Sequence, residues 1–232
     1  SLAPGEAILC LNYDGLYGIN NINRFLQESN RNPAITWDIQ QYKVEDPILF
    51  LDSDRFRPVI HNNMKGIIKG VEIVDAGTTE ERIKFDVEIP KAVDERDISE
   101  FDLELLERYE GQEKSLVRFY VHKLKSADEE DDDLRTVVPF QIAYAVSIHK
   151  AQGLEYDSVK IVITDEVEEL VTHNIFYTAI TRAREKLKIY WTPEVEEKVI
   201  NRIRPRDISK DVELLRNYLI DKQQDNILDF EL

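Results

Sequence analysis

The polar residues most suited to chemistry lie together in the peptide "SIHKAQG" at 147–153. It separates two apolar, strand-like stretches, and loops between such elements commonly carry binding and catalytic groups. Hydroxyl, imidazole, ammonium and amide groups are the donors that hold phosphate and sugar. A simpler interpretation is a single capped helical turn, with Ser147 as N-cap, Gly153 as C-cap and the remaining polar residues facing water. Composition alone favours the simpler interpretation.

A second candidate group is a pair of arginines within "THNIFYTAITRAREK", residues 172–186. Apolar residues recur there at helical spacing and predict a helix with one buried face and Thr172 as its N-cap. Thr178 and Arg182 are four residues apart and would share another face of that helix. Arg182 and Arg184 each fit a cation that stabilises a helix C-terminus. Each also fits a guanidinium that leaves the domain to meet a phosphate.

Predicted strands and helices alternate around these groups. Strands are predicted at "EAILCLN" (6–12), "VVPFQIAYAVSI" (137–148), "DSVKIVIT" (157–164) and "LKIYW" (187–191). Amphipathic helices are predicted near residues 19–26, 195–203 and 212–219. A strand followed by a turn and a helix is how a parallel α/β sheet begins, so these segments predict an α/β domain.

A different pattern occupies the middle of the chain. Short strands rich in β-branched and aromatic residues are predicted at "DPILFLD" (46–52), "GIIKGVEIVD" (66–75), "RIKFDVEI" (82–89) and "SLVRFYVHKL" (115–124). A helix is predicted at 97–109, and the acidic run 128–133 is expected to be a solvated loop. The predicted organisation is therefore an α/β domain formed by residues 1–45 and 137–232, with a β-rich module inserted at 46–136.

The composition restricts the classes of function. The net charge of −16 opposes nucleic-acid binding, whose phosphates favour a basic surface. Residues 46–135, however, hold 24 acidic and 14 basic side chains, a net −10, so a local cationic groove remains compatible with the rest of the chain. The single cysteine, Cys10, lies in an apolar run and is expected to be buried, and a chain without disulfides fits a reducing, cytoplasmic compartment. The four scattered histidines predict no metal site.

The N-terminus and the hydropathy predict neither a signal peptide nor a membrane span. The sequence holds no apolar run of 18 residues, so neither a transmembrane helix nor a membrane partner is expected. The opening "SLAPGEAILCLN" lacks the basic segment of a signal peptide. It begins with Ser rather than Met, as expected of a processed chain or an excised fragment.

Two motifs resemble those of superfamily 1 helicases. "YAVSIHKAQGLEYDSVKIV" is similar to motif V of that family, and "FYTAITRAR" is similar to its motif VI, in the same order. "AILCLNYDGLYGINNINRFL" resembles the motif IV region that opens the second RecA-like domain. The segment at 45–75 resembles the start of the small SH3-like barrel inserted in the RecD/Dda branch. The resemblance covers most of the chain up to Trp191 and implies a RecA-like parallel sheet flanked by helices, P-loop NTPase-like but without the P-loop.

The resemblance implies roles for individual residues. Arg182 would be the arginine finger that reaches the γ-phosphate of ATP across the cleft between two RecA-like domains. The residues implied to lie near the nucleotide are Gln152, Gly153, Glu155, Arg182 and Arg184. Glu155 would accept a hydrogen bond from the ribose. The residues implied to contact single-stranded DNA are Ser147, His149, Lys150, Asn12, Tyr13 and Thr178. The branch also implies 5′-to-3′ movement, and related motors act on RNA.

The sequence departs from the family pattern in the inserted module. Glu45-Asp46-Pro47 stands where the family has Gly-Asp-x, and Asn63-Met64-Lys65-Gly66 interrupts an Asn-Gly turn. None of the eight glycines is followed by Lys, so no P-loop is present. We therefore expect the C-terminal half of a helicase that uses ATP and Mg²⁺ only with its N-terminal RecA-like domain. The alternative is a non-catalytic, helicase-derived module that binds a protein partner through its acidic insert.

Overall fold

The computed structural model describes residues 5–51, 54–98, 101–123 and 134–203. In chain order the strands and helices of this part are β1 (Glu6–Cys10), α1 (Ile19–Ser29), β2 (Ala34–Trp37), β3 (Gln40–Lys43), β4 (Pro47–Phe50), β5 (Lys65–Val74), β6 (Arg82–Ile89), α2 (Glu95–Ile98), β7 (Glu104–Arg108), β8 (Ser115–His122), β9 (Phe140–Ile142), β10 (Ala145–Ser147), β11 (Tyr156–Val162), α3 (His173–Ile180), β12 (Ala183–Tyr190) and α4 (Pro193–Ile203). The helix predicted at 212–219 and the acidic run at 128–133 lie outside the described residues.

Four strands form a parallel sheet in the order β10-β1-β11-β12. Leu9, Val159 and Ile161 are fully buried in its core, and Val199 of α4 packs into the same cluster. Burial on both faces explains why β1 and β11 are apolar along most of their length. The predicted strands β1, β11 and β12 and the helices α1 and α4 are confirmed. A parallel sheet covered by helices confirms the α/β class and fits a RecA-like fold.

The middle of the chain forms a six-stranded antiparallel sheet in the order β7-β8-β6-β5-β4-β9. Along β6 and β8 buried and partly exposed residues alternate, as expected for strands with one face on a core. Phe85 and Phe119 from these strands meet Phe50 of β4 and Phe140 of β9 in an aromatic cluster. The four strands predicted in this region are confirmed. The SH3-like character of the module stays a prediction.

The segment predicted as one strand, residues 137–148, is two strands in different sheets, so this prediction is wrong. β9 pairs antiparallel with β4, whereas β10 pairs parallel with β1. Asn23 of α1 separates them, since its amide donates to the carbonyls of Ile142 and Ala145 and its oxygen accepts from the N–H of Ala145. The division at residue 137 stays a prediction, and the strand pairing places β9 with the antiparallel sheet.

The prediction of a helix at 97–109 is also wrong. α2 ends at Ile98, and residues 104–108 form β7 at the edge of the antiparallel sheet, paired with β8. Ile98 and Leu103 are buried in the aromatic core, while Leu105 packs against it from β7. The apolar spacing therefore reflects contacts with one core and not a helical face, because tertiary packing overrides local propensity.

The helix predicted over 172–186 ends early. The prediction that Arg182 and Arg184 lie on this helix is therefore wrong. Thr172 is the N-cap as predicted, and its hydroxyl accepts from the N–H of Ile175 at 3.3 Å. Helix α3 ends at Ile180, where the Thr181 hydroxyl donates to the carbonyl of Tyr177 at 2.8 Å. From residue 183 the chain joins the parallel sheet as β12. Arg182 thus lies in a turn, and Arg184 lies on a strand.

Sequence reasoning missed the hairpin formed by β2 and β3. Its two-residue turn contains Asp38, whose φ of 52° suits the primed turns that connect hairpins. Trp37 and Tyr42 are buried against the aromatic core. The hairpin packs on the antiparallel sheet and directly follows α1. It therefore connects a helix of the parallel sheet to the antiparallel sheet.

Candidate functional site

The peptide 148–155 connects the carboxyl end of β10 to the amino end of β11. Ser147 is buried, and its hydroxyl accepts from the N–H of Lys150 at 3.1 Å, as an N-cap does. Gly153 has a φ of 83°, a conformation that favours glycine and ends the turn. The capped turn that the sequence suggests is therefore present. Because β10 and β11 are both parallel to β1, the peptide carries the chain from the carboxyl end of the sheet to its amino end.

Four predicted residues meet at the carboxyl edge of the sheet; we call Asn12, Tyr13, His149 and Lys150 the carboxyl-edge cluster. They come together because β1 and β10 are parallel and Cys10 pairs with Ser147 in register. The Lys150 ammonium lies 5.7 Å from the centre of the Tyr13 ring and donates to Gln141 Oε1 at 2.8 Å. His149 is exposed, and the Asn12 amide donates to the backbone of Asp14.

Three other predicted residues meet at the opposite edge; we call Glu155, Arg182 and Arg184 the amino-edge cluster. Arg184 Nε donates to Glu155 Oε2 at 2.9 Å in an exposed ion pair. The Arg182 guanidinium donates to the carbonyls of Thr178 and Leu154, at 2.9 and 3.2 Å, and to the Thr181 hydroxyl at 3.1 Å. These bonds hold the guanidinium partly buried at the edge of the sheet.

Two predicted residues do not join the cluster expected for them. Thr178, a predicted contact for the nucleic-acid strand, lies beside Arg182 and accepts from its Nε, so the structure groups it with the amino edge. Gln152, predicted near the nucleotide, is exposed in the middle of the connecting turn, between the two clusters.

Sequence reasoning missed Lys65, which reaches the amino-edge cluster from β5 of the antiparallel sheet. Its ammonium donates to the Glu155 carbonyl at 2.7 Å and lies 3.4 Å from the centre of the Tyr156 ring. Burial, reinforced by the Arg184 charge, lowers the pKa of Lys65 to about 8, although the carboxylates of Asp157 and Glu155 act in the opposite direction. No local pattern marks a contact across ninety residues.

A cleft of about 910 Å³ opens beside the carboxyl-edge cluster. Its walls come from α1, the β2–β3 hairpin and residues 136–142, and Tyr13 and Gln141 form one end. Sequence reasoning missed Gln141, which lies in an apolar run yet orients the Lys150 ammonium. Amide and charged side chains form half of its lining, and most of the other half is apolar or aromatic.

The described part of the chain has neither a metal-binding group of side chains nor a membrane-spanning helix. Within residues 5–51, 54–98, 101–123 and 134–203, no three His, Cys, Asp or Glu side chains lie close enough to hold a metal ion. In the same residues no helix has the length and apolar character needed to cross a membrane.

The segment that holds the connecting turn and the amino-edge cluster is similar to a known family. Residues 142–190, which run from the end of β9 through β12, match the UvrD-like helicase C-terminal domain family. The match includes the connecting turn, the amino-edge cluster and α3. Together with the parallel sheet, this match supports the resemblance to a superfamily 1 helicase C-terminal domain.

Several curated relatives are RecD proteins. RecD of the RecBCD enzyme from Buchnera aphidicola subsp. Schizaphis graminum is 21% identical over 183 residues, which cover 78% of this chain and 24% of that protein. RecD of Mycolicibacterium smegmatis is 40% identical over 45 residues, 19% of this chain and 8% of that protein. The chain thus spans about a quarter or less of the length of these curated relatives.

Solved structures of Pif1 helicases are also similar. Pif1 from Bacteroides, in complex with ADP-AlF3 and single-stranded DNA, has a TM-score of 0.45 and 17% identity, covering 92% of this chain and 45% of that one. Pif1 from Candida albicans has a TM-score of 0.47 and 12% identity, covering 92% of this chain and 50% of that one.

Proposed function

We propose that this chain is the C-terminal part of an ATP-dependent DNA helicase or translocase of superfamily 1. The observation that carries the proposal is the path of residues 148–155. This turn begins in the carboxyl-edge cluster, crosses the sheet and ends in the amino-edge cluster. A ligand at one end is therefore connected by eight residues to a ligand at the other, as a motor that couples hydrolysis to movement requires.

Arg182 has the role of the arginine finger in this proposal. Its guanidinium is held by backbone carbonyls and a hydroxyl, not by a carboxylate, so its charge is left for an anion. A γ-phosphate presented by the N-terminal RecA-like domain would exchange for these neutral acceptors. A guanidinium placed there stabilises the charge that spreads over the phosphoryl oxygens in the transition state. Glu155 and Arg184 lie beside it, where the ribose and phosphates would approach.

The carboxyl-edge cluster would hold single-stranded DNA. Lys150 provides a cation for a phosphate, and Tyr13, 42% exposed, provides a ring face for a base. His149 and Asn12 add donors for the sugar-phosphate backbone. None of these groups reads a base edge specifically, which suits a motor that must track any sequence.

Hydrolysis by the full-length protein tests the role of Arg182. Arg182→Ala is expected to lower the single-strand-stimulated ATPase rate by about three orders of magnitude, because the transition-state charge loses its stabilising cation. Arg108→Ala is the matched control, since Arg108 is exposed on β7 and pairs with Asp94 far from either cluster. An Arg182→Ala protein that hydrolyses ATP at the wild-type rate would remove Arg182 from this role and favour the non-catalytic, partner-binding alternative.

Binding of a labelled oligonucleotide, measured by fluorescence anisotropy over a salt series, tests the carboxyl-edge cluster. Lys150→Ala is expected to weaken single-strand binding and to reduce the slope of log K against log salt by about 0.7, one phosphate contact. Lys114→Ala, which removes a cation paired with Glu88 on the antiparallel sheet, is expected to leave the slope unchanged. Equal loss for both variants would contradict the assignment. Parallel titrations with DNA and RNA oligonucleotides identify the preferred strand.

A further inference from the structure

The inserted antiparallel sheet contacts the amino-edge cluster through Lys65. This residue is the first of β5, and its ammonium donates to the Glu155 carbonyl at 2.7 Å while it lies over the Tyr156 ring at 3.4 Å. A lysine that gives both a charge-assisted hydrogen bond and a cation–π contact fixes the backbone and the ring together. It thereby anchors the point at which the connecting turn enters β11.

The anchored segment includes two residues that contact Arg182. The Leu154 carbonyl accepts from Arg182 Nη1 at 3.2 Å, and the Tyr156 N–H donates to the Arg182 carbonyl at 2.9 Å. The Glu155 carboxylate, between them, pairs with Arg184. Residues 154–156 thus fix both the backbone and the guanidinium of Arg182, and Lys65 fixes residues 154–156.

We infer that Lys65 is a positioning residue for Arg182, by which the inserted module sets the orientation of the proposed arginine finger. The inference rests on the proposed function and extends it. Lys65 acts through Glu155 and Tyr156, so it is not itself a phosphate ligand. A finger misplaced by about an ångström can lose up to a hundred-fold in rate, which makes such an anchor consequential.

Kinetics of the full-length protein test this role. Lys65→Met keeps the length of the side chain and removes its charge; it is expected to lower kcat of the single-strand-stimulated ATPase about ten-fold and to change KM for ATP less than about two-fold. Lys65→Arg restores a cation and is expected to recover most of the rate. Lys69→Met is the matched control, because Lys69 is on the same strand and pairs with Glu45 in an exposed site.

The pH dependence separates positioning from a purely structural role. The groups that face Lys65 are Asp157, Glu155, Arg184 and the Tyr156 ring, and the lowered pKa of Lys65 is about 8. In the unfolded chain the pKa is higher, so between the two values the unfolded state binds more protons and stability rises with pH. The Lys65 ammonium, in contrast, loses its proton and its charge as the pH rises above about 8. Wild-type kcat relative to Lys65→Arg is therefore expected to fall above pH 8 while stability relative to Lys65→Arg rises.

The outcomes discriminate between this inference and the function on which it rests. An inactive Arg182→Ala protein together with a Lys65→Met protein within about two-fold of wild type in kcat would overturn the inference and leave the proposed function intact. An active Arg182→Ala protein would overturn both. A Lys65→Met protein that loses thermal stability and kcat together, without rescue by Lys65→Arg, would also overturn the positioning role.

Discussion

At the residue scale, Glu45 has a backbone conformation that favours glycine, at a position where the family pattern has Gly. Its φ is 68°, in the left-handed region that favours glycine. The family pattern has Gly at this position, immediately before the buried carboxylate of Asp46. The N–H of Glu45 donates to the Ile68 carbonyl at 2.7 Å, so the backbone is held in this conformation by the adjoining strand. A glycine at this position would adopt the same conformation without the steric cost of a Cβ.

Replacing Glu45 measures this effect. Glu45→Gly and Glu45→Ala both remove the exposed ion pair with Lys69, but Ala keeps the Cβ that disfavours positive φ. Glu45→Gly is therefore expected to unfold in urea with a free energy about 1 kcal/mol above that of Glu45→Ala. Equal stabilities would mean that the strand backbone relaxes away from positive φ.

At the element scale, strand identity was predictable where one face of the strand contacts a core. Alternation along β6 and β8 and the apolar runs of β1 and β11 are direct consequences of burial, so the sequence carries them. The end of α3 and the strand β7 were not predictable, because both depend on pairing with another strand. Because α3 ends early, both arginines lie on other elements than the sequence predicted.

The aromatic cluster should dominate the stability of the antiparallel sheet. Phe119 is fully buried and its ring lies 5.1–6.3 Å from those of Phe50, Phe56, Phe85 and Phe140. Phe119→Ala is expected to lower the free energy of unfolding by about 4 kcal/mol, through lost burial and a cavity. Phe25→Ala is the control, because that ring on α1 is 71% exposed and should cost less than about 0.5 kcal/mol. Chemical denaturation of both variants measures the difference.

At the scale of the whole molecule, strand β4 contributes side chains to the cores of both sheets. Ile48 and Phe50 pack into the aromatic core, and Leu49, on the opposite face, packs into the core of the parallel sheet. Just before β4, the buried carboxylate of Asp46 accepts hydrogen bonds from four groups: Gln27 Nε2, Asn30 Nδ2, the Lys43 N–H and the Tyr144 hydroxyl. These donors come from α1, the hairpin and the segment before β10.

The Asp46 carboxylate is therefore expected to hold the two layers together. Asp46→Asn replaces an acceptor with an amide donor that faces other donors, and it should lower the free energy of unfolding by about 3 kcal/mol. Tyr144→Phe removes one donor and should cost about 1 kcal/mol. Asp75→Asn, in an exposed pair with Arg82, serves as the control. An Asp46→Asn protein as stable as Asp75→Asn would show that apolar packing alone joins the layers.

The sequence by itself determined which chemical groups are present, their order and the elements with a strong period. It also carried the resemblance of the turn at 147–155 and the arginine segment to helicase motifs, because these features are local. Tertiary structure alone decided that residues 137–148 divide between two sheets, that the clusters occupy opposite edges, and that Lys65 meets Glu155. Such contacts depend on which strands pair and on how side chains from distant segments pack, and no short-range periodicity records that choice.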